Sequence, residues 1–194
     1  MLEYKTFMRH AGKVTKTASK VRPFLKGVKH YKNGSAVVTD GFRLYLAKHI
    51  HNREEEELVT PKGEIINIAY PDVRRVFPSS EPQQQLKIDL NELLKGVDML
   101  YTVGRLVENK VVICFRDNYV SYKSKEVTGY QTLPVTFSLT LFFDALYWEE
   151  ALKLFKAADS KTISVNLYGT TNPAVLKNGD ESLIALIMPV RREY

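Results

Sequence analysis

One pattern constrains this chain more than any other: an extended or strand entry, then a helical stretch, then several short strands, with the unit recurring near residues 4, 85 and 133. The repetition is one of pattern and not of identity. Between Tyr4 and Lys20 the apolar residues Phe7, Ala11, Val14 and Ala18 keep helical spacing and make one face. Arg9, Lys13, Lys16 and Lys20 follow the same spacing displaced by two residues, which puts a stripe of cations on the opposite side. After Arg22-Pro23 the segment FLKGVKHYKNGSAVVTDGFRLYLAKH reads as strands broken at Asn33-Gly34 and Asp40-Gly41, both favourable hairpin turns.

Residues 49–69 read as a connector, with Glu54 to Glu57 as a charge run that suits a solvated loop better than a helix, and YPDVRRVFPSSEP as an extended linker because of its three prolines. QQLKID is then a short strand. LNELLKGVDMLYTVG is a helix that buries Leu90, Leu93, Leu94, Val97 and Leu100 or Tyr101 and is capped by Asp89 or Asn91. KVVICFRD and NYVSYKSKEV read as strands around a turn at Asp117-Asn118, and LPVTFSL as another strand. TLFFDALYWEEALKLFKA reads as a helix, with Leu141, Ala145, Trp148, Leu152 and Phe155 inward and Glu149, Glu150, Lys153 and Lys156 toward water. KTISVNLYG, PAVLKNG and SLIALIMPVR close the chain as strands.

Length and composition set the class. The 194 residues suffice for one ordinary domain or two small ones, and 44% hydrophobic content supplies a core. No run reaches the roughly 18 apolar residues of a membrane span, and MLEYKTFMRH lacks the apolar stretch of a signal peptide, so a cytoplasmic protein with no membrane association is expected. The one cysteine, Cys114 in the apolar run VVICF, excludes an internal disulfide and a cysteine-rich zinc site. Charge is lopsided: residues 1–53 carry +10 and the remainder −4, out of a formal +6. Such a basic block points to a polyanion, nucleic acid above all, or simply to a solvated basic surface.

Catalytic patterns are missing. His49 and His51 share a face if extended, yet no third metal ligand accompanies them. No GxSxG, HExxH, P-loop or GxGxxG pattern occurs, and Asp144, Glu149 and Glu150 have no activating neighbour in the sequence. A non-enzyme without cofactor or metal is expected. Two polar corners instead interrupt apolar strands, Thr39-Asp40-Gly41 and Met188-Pro189, and a proline inside the last strand leaves its surroundings at an edge.

The order RPFLKGV, VVTDGFRL, YPDVRRVFP and a closing LIALIMPVR resembles the bacterial DNA polymerase III beta subunit, the sliding clamp family. The resemblance implies an α+β fold of the DNA-clamp type: repeated half units of helix and antiparallel sheet, with the helices on one face of the sheets. It implies that residues 70–194 form a complete clamp domain like the family's third. Residues 1–69 would be a partial one, with 1–48 as the first half of a second domain and 49–69 as a connector in place of its second half. The family's first domain would then have no counterpart, and ring closure by the family's usual route would be in doubt.

Carried across motif by motif, the resemblance implies a slot for short clamp-binding peptides of DNA polymerase, clamp loader or repair proteins. Its walls would be Leu25, Thr39, Gly41, Arg43, Leu44, Pro71, Arg75, Val76, Leu186, Met188, Pro189, Val190 and Arg191. Phe42 stands where the family commonly has histidine and makes that rim greasier. Gly41 would let a peptide backbone approach closely. Two functions follow as expectations: a non-catalytic binder of such peptides, as accessory factor or decoy, or a DNA-encircling homo-oligomeric ring. In the ring, Arg9, Lys13, Lys16 and Lys20, joined by Lys95 and Lys153, would face duplex DNA. The oligomeric state is left open by the sequence.

Overall fold

The computed structural model describes residues 2–191. Helix α1 (Tyr4–Thr17) is followed by a 3-10 turn (Pro23–Lys26) and the strands β1 (Val28–His30), β2 (Ala36–Thr39), β3 (Arg43–Ala47) and β4 (Glu57–Val59). A second 3-10 turn (Val73–Val76) leads to β5 (Gln84–Asp89), α2 (Leu90–Gly104), β6 (Val112–Lys123), β7 (Thr128–Asp144) and α3 (Ala145–Ala157). Strands β8 (Thr162–Leu167), β9 (Ala174–Lys177) and β10 (Leu183–Ile187) end the fold. The class is α+β. Among the described residues no helix is long and apolar enough to cross a membrane.

Eight strands form one antiparallel sheet in the order β4-β1-β2-β3-β10-β9-β8-β5, while β6 and β7 pair with each other. Strand alternation sorts side chains between two cores. Ala36, Val38, Tyr45, Ala47, Leu183, Ala185 and Ile187 face the large core, which also holds Phe7, Ala11 and Val14 of α1, Leu93 and Val97 of α2, and Trp148, Leu152 and Phe155 of α3. Val37, Leu44, Ile184 and Leu186 point the other way, into a small cluster shared with Val73. All three helices therefore cover one face of the sheet, and α3 touches both α1 and α2. Among the described residues the other face carries the small cluster, with the segment around Tyr70–Phe77 packed on it and no α-helix.

Local chemistry explains most elements. The Asp89 carboxylate accepts from the amides of Asn91 and Glu92 and so starts α2; Asp144 accepts from Leu146 and starts α3. Lys26 donates from Nζ to the carbonyls of Thr15 and Ala18, at 3.0 and 2.7 Å, and so finishes α1. Gly34 and Gly41, both with positive φ, make the two tight turns of the β1-β2-β3 meander.

Several expectations are corrected. FLK is a 3-10 turn and not strand, because Pro23 presets its first residue. The connector is not wholly irregular: Glu57–Val59 pairs with β1, giving backbone groups of that edge a partner. The linker after Tyr70 holds a 3-10 turn, started by the Asp72 carboxylate accepting from the amide of Arg74. Asp117-Asn118 makes no turn; Asp117 takes φ 49° at a bulge within one long strand, and the chain reverses at Ser124–Val127 instead. Leu141 to Phe143 lie in β7 and not on a helix, since they pair with Ile113 to Phe115 before Asp144 caps α3. Glu149, expected in water, is buried, and Glu150 is turned toward Arg43.

Candidate functional site

The site begins with a strand pairing. Residues 43–47 lie against residues 183–187 with Leu44 opposite Leu186, so one early and one late segment share a floor on the face of the sheet opposite the α-helices. Past Ile187 the amide of Met188 donates to the Phe42 carbonyl at 2.8 Å. Pro189 has no amide to continue the ladder, and Val190 donates instead to Phe142 of β7 at 2.7 Å. The strand ends there, with Met188 standing at its rim.

Around this floor is a cleft of about 260 Å³. Leu25, Leu44 and Leu186 are its buried apolar base, and Phe42, Val76 and Met188 its exposed rim, with Phe42 61% and Val76 51% accessible. Large apolar side chains held in water beside an apolar base are the usual signature of an interaction site. Of the slot residues expected from the sequence, the cleft brings together Leu25, Thr39, Gly41, Phe42, Arg43, Leu44, Pro71, Val76, Leu186 and Met188. It leaves out Pro189, Val190 and Arg191, which border a neighbouring hollow of about 240 Å³ that shares Phe42 and Met188. Arg75 borders neither; its side chain is 85% exposed and lies 3.7 Å from Asp72.

The corner is held from behind. The Asp40 carboxylate accepts from the amides of Phe42 and Arg43, both at 3.0 Å, while Thr39 Oγ1 accepts from the Gly41 amide and donates to the Arg43 carbonyl. Gly41 takes φ +96°, a conformation that an L side chain rarely adopts. Arg43 borders the cleft, but its guanidinium is fully buried and points inward, to Asp40 at 3.1 Å and Glu150 at 2.5 Å. Burial alone would lower its pKa; Tyr45, Glu150 and Asp40 more than offset that and keep it charged. The Tyr147 ring lies under the same guanidinium at 4.5 Å, and its own phenol is pushed up to about 12, by burial first and then by Asp40 and Asp144.

Sequence reasoning missed Arg22, Phe24, Asp72, Val73 and Pro173, all of which border the cleft. Phe24 and Val73 lie inside RPFLKGV and YPDVRRV, so position within those motifs was an available signal. Pro173 has none.

Arg9, Lys13 and Lys16 on α1 and Lys95 on α2 are exposed; Lys20, expected on the same helix as the first three, is exposed in the turn beyond it, because α1 ends at Thr17. Lys13 lies 3.9 Å from Glu150, and Lys153 is paired more closely. Its ammonium sits 3.0 Å from Asp98 and also bonds Glu149, so its charge is already matched. His49 and His51 are not gathered into a metal site: among the described residues no group of three potential ligands occurs. His51 instead donates from Nε2 to the Ser35 carbonyl and accepts the Arg53 amide on Nδ1.

No family model matches the chain. It is 31% identical over 132 residues to beta sliding clamps of Staphylococcus aureus strains, a match covering 63% of this chain and 34% of those proteins. Among solved structures, the DNA polymerase sliding clamp of Bacillus subtilis superposes with a TM-score of 0.77 at 19% identity, covering 98% of this chain and 62% of that one. A DNA polymerase III beta subunit from Eubacterium rectale gives 0.78 at 15% identity, covering 97% of this chain and 63% of that one. The Helicobacter pylori beta clamp bound to a DNA ligase peptide gives 0.72 at 14% identity, covering 96% and 63%. The chain thus spans about a third of the curated relatives in sequence and under two thirds of the solved ones in structure. At such identities the solved structures establish the fold.

Proposed function

We propose that this chain, which is similar to the beta sliding clamps, is a non-catalytic binding protein of DNA replication whose slot takes short apolar peptide motifs of replication proteins. One observation carries this reading: Leu44 and Leu186, from opposite ends of the chain, floor an open apolar cleft rimmed by Phe42, Val76 and Met188. The Helicobacter pylori clamp, which shares the fold, binds a DNA ligase peptide. We place the protein in the cytoplasm with such partners, as accessory factor or decoy, and assign the slot to residues 1–69 and 70–194 together, a partial and a complete clamp domain.

The energetics suit a weak, specific contact. Burying a leucine and a phenylalanine contributes roughly 1.5–3 kcal/mol each, so these two anchors alone give about millimolar to tens-of-micromolar affinity before the peptide's ordering is counted. A fluorescent peptide ending in Leu-Phe tests this. Saturable binding that Leu44→Ala with Met188→Ala weakens by at least about tenfold supports the reading; no saturable binding, or binding indifferent to that pair, rejects it.

A second reading, a DNA-encircling ring of several copies, draws on the exposed stripe of Arg9, Lys13, Lys16 and Lys20. Light scattering separates the two, since a monomer at working concentration encircles nothing.

A further inference from the structure

Beside the slot lies a larger cleft of about 760 Å³, on the same face of the sheet. Pro71, Asp72 and Val73 border both and form the ridge between them. Beneath the ridge the apolar bed is continuous: Leu44 and Leu186 of the slot floor belong to one cluster with Tyr31, Leu46, Tyr70 and Phe77, which line the larger groove. A chain leaving the slot over the ridge finds a second furrow already shaped.

Charge separates the two furrows. Four cationic side chains, Lys29, Lys32, Lys48 and Arg74, line the groove against two carboxylates. Both carboxylates are engaged: Glu56 is 2.9 Å from Lys29, and Asp72 holds Arg74 through both oxygens at 2.8 and 3.1 Å. Among the described residues Lys32 and Lys48 have no carboxylate within ion-pair distance, so the groove keeps an uncompensated positive field.

We infer that this groove takes an acidic segment adjoining the apolar motif in the same partner peptide. The motif fills the slot, the chain crosses the Pro71–Val73 ridge, and its carboxylates meet Lys32 and Lys48. The inference rests on the peptide reading of the slot and adds the chemistry of the flanking residues. The site sets partner choice among peptides with equivalent apolar ends, because charge complementarity selects more than it tightens.

Fluorescence anisotropy with the intact protein tests it, using the motif alone, the motif with an oligo-glutamate extension at either end, and the motif with an oligo-glutamine extension. At about 0.1 M salt, where the Debye length is about 10 Å, the glutamate extension at one end is expected to bind roughly three- to tenfold tighter than its glutamine counterpart. That gain should vanish in Lys32→Glu with Lys48→Glu and shrink at high salt, while the motif alone binds this variant as it binds the wild type. Equal affinity of the glutamate and glutamine peptides, or a gain that survives the lysine changes, overturns the inference and leaves the slot intact. No binding of the motif alone removes both. A single-stranded oligonucleotide that abolishes the glutamate gain with the same lysine dependence overturns it in favour of nucleic acid.

Discussion

The Arg43 guanidinium donates to Glu150 at 2.5 Å, which fastens the corner flooring the slot to a helix 107 residues further along the chain. Asp40 completes the arrangement by holding both the guanidinium and the turn's own amides. The corner is therefore stiff before any ligand arrives, and a peptide binding there need not order it.

Removing one partner of a buried pair costs more than removing the pair, because the remaining charge is left in low dielectric. Asp40→Ala strips an acceptor from the amides of Phe42 and Arg43, from the Thr17 hydroxyl and from the Arg43 guanidinium, and should cost roughly 3–5 kcal/mol in urea unfolding. Glu150→Gln keeps a hydrogen-bond acceptor and should cost about 1–2 kcal/mol. Equal, negligible effects of the two changes contradict the network.

Stability should also fall in mild acid through two histidines. Burial first, then Lys13 and Arg9, lowers the His10 pKa to about 4 from 6.5; burial first, then Arg53 and His51, does the same for His30. A depressed histidine is protonated in the unfolded chain before the folded one. The stability it contributes is complete above about pH 6.5 and drains between there and 4, by an order of 2 kcal/mol per histidine. Among the described residues His10 Nδ1 has no hydrogen-bond partner, so His10→Leu should flatten its share of the slope without loss at pH 7. A pH-independent unfolding midpoint between 7 and 4.5 is the contrary result.

DNA binding, if the helical face engages it, should depend on the stripe and not on Lys153. Four phosphate contacts give a log–log salt slope of about −3 to −4. Lys16→Glu with Lys20→Glu should reduce both the affinity and the slope, whereas Lys153→Ala should change neither, because Asp98 and Glu149 already neutralise it. Retention assays on short duplexes across a salt series distinguish the two variants.

What the sequence revealed follows the range of the forces involved. Helix α1 with its opposed stripes, the turns at Asn33-Gly34 and Asp40-Gly41, and the Asp89 cap depend on residues within a few positions of one another, and periodicity and turn chemistry exposed them. Asp117-Asn118 misled because the residues that favour a turn also favour the positive φ of a bulge, and only the partner strand decides which forms. Leu141 to Phe143 misled because a short apolar run satisfies both periods until pairing with Ile113 to Phe115 selects one. Ten of the residues that line the apolar cleft were legible through motif resemblance. The inward turn of Arg43 was not, because its partner Glu150 sits on another element with nothing local to announce it. Pro173 and the larger groove were hidden for the same reason.

The central claim, that two ends of the chain jointly bind one short peptide, is tested most directly by methyl NMR with a peptide ending in Leu-Phe. The account predicts that methyl signals of Leu25, Leu44, Leu186 and Met188 shift together along one binding curve, while those of Val14 on α1 and Leu94 on α2 stay put. Shifts confined to the helical face, or separate curves for Leu44 and Leu186, would contradict it.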